Sequence, residues 1–151
     1  MLDDLDRRIL RYWQSEPSLS PAELADRCAT SPGTCARRIA RMQESGIVRG
    51  VSAVIDWAAL GFGVEVSLRV TLDKTQARAF DEFLEAARDV REVTEIQTFL
   101  GRVDVRLHII ARDMAHYQDI YRHRVLTLPH IADIEALMLV SRLKDAESLP
   151  V

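Results

Sequence analysis

The stretch SPAELADRCATSPGTCARRIARMQESG, residues 20–46, holds two helix starts in close succession. Ser20-Pro21-Ala22-Glu23 is a capping box with proline at the first helical position, and Leu19 and Leu24 stand at the hydrophobic-staple positions. Thr30-Ser31-Pro32 repeats the cap-plus-proline signal, so the helix opened by Pro21 runs only to about Ala29 and another begins after a very short turn. In this later helix Cys35, Ile39 and Met42 line one face at 100° per residue, Thr34, Arg37 and Arg41 point the other way, and Arg38 lies at the flank. Gly46 closes it.

Upstream, Leu5, Ile9 and Trp13, joined by Leu2 and Leu10, recur at helical spacing behind Asp3, Asp4 and Asp6, whose charges suit a helix N-terminus. This first helix ends before Pro17. A long helix, a short helix, a tight turn and a third helix with an outward arginine face form a helix-turn-helix. Its third helix would enter the major groove of double-stranded DNA, where arginine bonds guanine O6 and N7 in bidentate fashion. Base reading then falls to Thr34, Arg37 and Arg41, phosphate or mixed contacts to Ser31, Arg38 and Arg49, and close backbone approach to Gly33. A packing module with a merely solvated basic face is the competing reading; Gly33 and Thr34 are poor helix formers for such a surface. Residues 47–55 are rich in β-formers around Gly50, as expected of a wing or of a strand leading out of the motif.

The charge supports this division. The net charge is -3 and the isoelectric point about 5.8, yet residues 1–50 hold eight Arg against seven Asp and Glu, while the remainder holds twelve basic and sixteen acidic residues. Mean hydropathy is -0.06, no apolar run reaches the ~18 residues of a membrane span, and the acidic start differs from a signal peptide. A cytoplasmic protein is expected. Cys28 and Cys35 are too few for a disulfide framework or a zinc site and read as buried thiols; no metal and no cofactor is expected.

Beyond Trp57 and Gly61-Phe62-Gly63, Val64 to Leu72 alternate apolar and polar residues as a half-buried strand. A helix follows from about Thr75 to Asp89, a strand from about Val93 to Leu100, the turn Gly101-Arg102, and a strand over Val103–Ala111. A helix marked by Met114, Tyr117, Ile120 and Tyr121 comes next, then a last strand from about Asp133 to Arg142. The order β-α-β-β-α-β is the ferredoxin-like plan, antiparallel strands with both helices on one face. The fold class is therefore α+β: a winged helix-turn-helix over residues 1–50, a hinge strand or linker over 51–61, and a ferredoxin-like domain over 62–151. The last strand is apolar on both faces, with Ile134, Ala136, Met138 and Val140 on one and Leu137 and Leu139 on the other. The sheet side that the helices leave bare is therefore expected to be an oligomer interface, with a buried ligand cavity as the competing reading.

With these motifs in place the sequence resembles the Lrp/AsnC family of bacterial transcription regulators over essentially its whole length. Leu2, Asp3, Asp6, Ile9 and Leu10 match the first helix of that family. Ser31, Pro32, Cys35, Arg38, Gly46 and Gly50 match its recognition region, and Asp113-Met114 and Leu128-Pro129 its sensing domain. The resemblance implies a homodimer that assembles further into octamers, and a small effector, usually an amino acid, bound near a Gly-Asp/Glu-aromatic-Asp loop. That loop reads Gly101-Arg102-Val103-Asp104 here, and the Thr-x-Thr of the last strand is Ile134 and Ala136. An arginine in place of an acid points to an anionic or apolar effector, with a solvated turn arginine as the alternative.

Two further readings compete. Siroheme decarboxylases resemble this two-domain plan and use histidine and arginine around a tetrapyrrole, which brings His108, His116, His123 and His130 into view. A pure amino-acid-binding module without DNA affinity is the other. Neither nucleophile elbow, phosphate loop nor metal-ligand spacing is present, so no catalytic residue is expected.

Overall fold

The computed structural model describes residues 1–145 and 148–151. Their contacts group into two units, residues 1–54 with 143–151 in one and 55–142 in the other.

In the first unit, α1 spans Asp4–Ser15, α2 Pro21–Arg27 and α3 Pro32–Glu44. Each start is made by the residues that announce it. The Asp3 side chain accepts from the Asp6 N–H and the Asp6 side chain from the Asp3 N–H, and Ser20 and Glu23 make the same reciprocal pair at α2. Ser31 caps α3 through the Thr34 N–H. Between α2 and α3 the chain turns at Ala29, whose φ of 51° is left-handed. There the Thr30 N–H reaches back to the Ala25 carbonyl and the Ala29 N–H to that of Asp26, a Schellman ending with alanine where glycine is usual. Ile9, Leu24, Ala25, Cys28, Cys35, Ile39 and Met42 form the core, and both cysteines are free. Burial pushes both thiols up from their ordinary pKa, which keeps them protonated and inert.

Residues 47–55 form no strand, contrary to the expectation of a wing or hinge strand. β-formers make a strand only where a neighbouring strand takes their N–H and C=O groups, and none of the described residues of this chain forms such a ladder with them. Val51, Val54 and Ile55 stay exposed. Past them Asp56 caps a single helical turn that closes at Gly61, which adopts φ 87° while the Phe62 N–H bonds the Trp57 carbonyl.

The second unit holds β1 (Val64–Leu72), α4 (Ala79–Arg88), β2 (Val93–Thr98), β3 (Val105–Ala111), α5 (Met114–Ile120) and β4 (Ile131–Met138). The sheet order is β2-β3-β1-β4 with every pair antiparallel, the arrangement required by the ferredoxin-like plan. Val66, Leu68 and Val70 of β1 and Val105, Leu107 and Ile109 of β3 point to one side. There they meet Phe83 and Ala87 of α4 and Tyr117 and Ile120 of α5.

Boundaries differ where local bonds override the periodicity. α4 starts at Ala79 rather than near Thr75, because the Asp73 carboxylate takes the Thr75 N–H at 3.0 Å and holds the chain in a turn. α5 passes into a π-turn at Tyr121–Val125, closed by the Leu126 N–H on the Tyr121 carbonyl. β4 ends at Met138, with one last bond from the Leu139 N–H to the Glu65 carbonyl, because its partner β1 begins at Val64. His130 enters β4 at φ 62°, and its Nε2 lies 2.6 Å from the Glu82 carboxylate, a bond that holds Glu82 below the usual carboxylate pKa.

Candidate nucleic-acid interface and sensor loop

Burying Cys35, Ile39 and Met42 turns the opposite face of α3 outward. Gly33, Ala36, Arg37, Ala40 and Arg41 are exposed there, at the three- and four-residue spacings that make one continuous surface. A Cβ on Gly33 would meet nothing within 4 Å, so the chain itself has no packing reason for glycine at this place. Gly33, Ala36 and Ala40 give a smooth strip from which Arg37 projects. Sequence reasoning missed the two alanines; their spacing from Gly33 was the available signal. Thr34 is half-buried, and its Oγ1 accepts from the Ser31 hydroxyl at 2.9 Å, which leaves the Thr34 hydroxyl proton to point elsewhere.

The arginines divide differently from the sequence reading. Asp6 is wholly buried, and a buried carboxylate requires counter-charge and donors. Arg38 Nη1 lies 3.1 Å from Asp6 Oδ1 and also bonds the Asp3 carboxylate, while Arg41 Nη2 lies 2.5 Å from Asp6 Oδ2. Arg38, expected to face phosphate, is turned into the unit with only 22% of its side chain exposed; Arg41, expected to read a base, keeps 57% and is shared between Asp6 and solvent. Arg37 has no such partner among the described residues and is exposed, as are Ser31 and Arg49.

The Arg38 hydrogen bond, followed by the Asp6 N–H, lowers the Asp3 carboxyl from 3.8 to about 2. A carboxyl more acidic folded than unfolded adds stability that is complete above the unfolded value and disappears as pH falls through the folded one. Acid titration of the first unit, followed by Trp13 fluorescence in a Trp57→Phe background, should therefore show a loss of stability between about pH 4 and 2. Asp3→Asn should remove this part of the acid limb. An unchanged limb would show that the Asp3–Arg38 contact does not persist in solution.

In the second unit the chain brings the expected effector residues to one end of the sheet. The Asp104 N–H bonds the Val70 carbonyl, Thr71 Oγ1 donates to the Arg102 carbonyl, and Val70 stands opposite Ile134 in the β1–β4 ladder. Asp104 is buried and already engaged, taking the Leu72 N–H at 2.9 Å and Lys74 Nζ at 2.8 Å. Burial raises its carboxyl, but the Lys74 and Leu72 bonds and the Lys74 charge outweigh that effect and leave it below the usual carboxylate range. Ile134 packs on the hydrophobic core, whereas Gly101, Arg102 and Ala136 are exposed. Of the five, Arg102 alone offers a charged side chain with no ion pair among the described residues.

The four histidines each bond a different local partner. Nδ1 and Nε2 of His108 lie 2.5 Å from Thr94 Oγ1 and Glu65 Oε1, His116 accepts from the Arg112 N–H, His123 lies 3.6 Å from Asp119, and His130 meets Glu82. They do not converge on a common centre.

Comparison with known proteins agrees with this geometry. Residues 65–149 match the Lrp/AsnC ligand binding domain and residues 2–49 a winged helix-turn-helix DNA-binding model. The chain belongs to the Lrp/AsnC family. It is 28% identical to the transcriptional regulator AzlB of Bacillus subtilis over all of this chain and 96% of that protein. It is 27% identical to the leucine-responsive regulatory protein of Escherichia coli K12 over 99% and 92%. Among solved structures, a transcriptional regulator of Neisseria meningitidis in complex with L-Met superposes at a TM-score of 0.91 with 27% identity, covering 99% of this chain and 97% of that one. An AsnC family regulator from Agrobacterium tumefaciens superposes at 0.89 with 29% identity and the same coverage. As an Lrp/AsnC member the chain is a DNA-binding transcription regulator modulated by a small effector, and not an enzyme. Among the described residues no helix is long and apolar enough to cross a membrane.

Proposed function

We propose that the regulator acts in the cytoplasm as a homodimer, assembling further into octamers. Each dimer presents two copies of α3 to successive major grooves about 34 Å apart, so its sites are imperfect palindromes. The observation that carries the DNA reading is the outward strip of α3, where Gly33 faces open space and Arg37, beside Ala36 and Ala40, has no ion-pair partner among the described residues. Arg37 reads a base, Thr34 and Arg41 contribute to reading, and Ser31, Arg38 and Arg49 contact or position near phosphate, with Arg38 acting chiefly through its hold on Asp3 and Asp6. Pairing of two sheets is supported by the side opposite the helices, where Leu137 of β4 and Leu139, just past its end, are exposed. The effector binds at the Gly101–Asp104 loop beside Ile134 and Ala136 and is anionic or apolar, because Arg102 supplies a charge with no ion pair among the described residues, where Asp104 is already neutralised by Lys74.

Fluorescence anisotropy with the DNA upstream of the regulator's own gene tests this reading. Binding should be in the nanomolar range and should weaken steeply from low to high salt, since each phosphate neutralised contributes about one unit of log-log slope. Anionic or apolar amino acids added to the complex should shift it, and Arg102→Ala should abolish the shift for the anionic ones. Sequence-independent binding, or an equal response to asparagine in wild type and variant, would overturn the respective half.

A further inference from the structure

We infer that the face of α1 bearing Arg11 and Gln14 is a docking site for this chain's own segment Leu149–Val151. Gln14 Nε2 donates to the Leu149 carbonyl at 2.7 Å and Gln14 Oε1 accepts the Leu149 N–H at 2.7 Å. A primary amide carries one acceptor and a donor group side by side, as a peptide does, so Gln14 pairs with Leu149 as a neighbouring strand would. Arg11, one turn earlier on the same face of the helix, donates from Nε to the Val151 carbonyl at 3.0 Å. Leu149 and Val151 line a groove of about 900 Å³ whose other walls include Leu2, Leu10, Trp13 and Ile47. Recognition is thus of main chain. Leu149 remains 69% exposed, which makes the hold reversible.

The consequence lies in the chain path. Residues 55–142 make the second unit, and residues 143–151 return to the first, so the chain crosses between the units once near residue 54 and again near residue 142. The docked segment is a second tether on the DNA-binding unit. A doubly tethered unit samples fewer orientations than one on a single linker, and restricting a tethered module raises its effective concentration at one geometry while lowering it at others. We assign to the Gln14–Leu149 clasp the restriction of half-site spacing, a role that rests on the DNA-binding reading above.

Two variants break the clasp from opposite sides: Gln14→Ala removes the amide and Leu149→Pro the N–H. The first readout is hydrogen exchange at the Leu149 amide of the full-length protein, which should be protected about tenfold or more in wild type and lose that protection in Gln14→Ala. The second is DNA binding to operators whose half-sites are moved apart by half a helical turn, about five base pairs. Wild type should lose about thirtyfold in affinity and both variants only about threefold, while affinity for a single half-site stays equal in all three. An unprotected Leu149 amide in wild type overturns the docking. A protected amide with one spacing profile shared by all three proteins overturns the tether. Wild type that binds no DNA overturns the DNA-binding reading and the spacing role with it, and the exchange result still decides the docking.

Discussion

Asp6→Asn is expected to destabilise the first unit by about 3 kcal/mol, the order found when one partner of a buried ion pair is removed. Asp6 has no exposed surface and its two oxygens take Arg38, Arg41 and the Asp3 N–H. The amide keeps the shape but removes the charge that both guanidiniums face, and its NH2 group points a donor at donors. For a unit of this size each kcal/mol moves the midpoint by about 4 to 8 °C, so the melt should shift down by about 12 to 24 °C. Trp13 fluorescence in the Trp57→Phe background reads it without interference from the second unit. A midpoint unchanged within about 2 °C would mean that the network adds nothing beyond its own desolvation cost.

Arg37→Ala is expected to do the converse, leaving the melt in place and weakening DNA binding by about 1 to 3 kcal/mol, about 5- to 150-fold, with relaxed preference at one base position. Arg38→Ala should lower the midpoint first and affect DNA chiefly through that loss. The pair separates reading from scaffolding, since both residues are arginines adjacent on one helix. Equal loss of affinity on all sequences for Arg37→Ala, with the salt slope reduced by about one, would instead make Arg37 a phosphate contact.

Much of the fold was legible because its signals are local. Ser20-Pro21 and Ser31-Pro32 mark helix starts through bonds made within four residues, and the alternation from Val64 to Leu72 needs only the period of a strand. What was illegible depends on partners distant in the chain. The Asp3 and Asp6 charges fit a helix N-terminus equally well whether or not Arg38 and Arg41 sit over them; only the matching three-residue spacings of the two pairs hinted at it. Asp104 kept its place in the loop pattern but serves Leu72 and Lys74. Residues 47–55 have the composition of a strand and no ladder to join, and the return of Leu149 to Gln14 joins positions 135 residues apart with no motif at either end.

The two thiols in the core of the first unit have a practical consequence. Cys28 and Cys35 are fully buried, with pKa values raised above the ordinary value, so a maleimide dye at neutral pH has almost no native thiolate to attack. A cysteine introduced at an exposed position is then the single reactive handle in an otherwise unaltered chain. Fluorophores can be placed on the recognition helix or the tail without first stripping the protein of its own sulfur, whose removal from the packed helix-turn-helix core would leave two cavities.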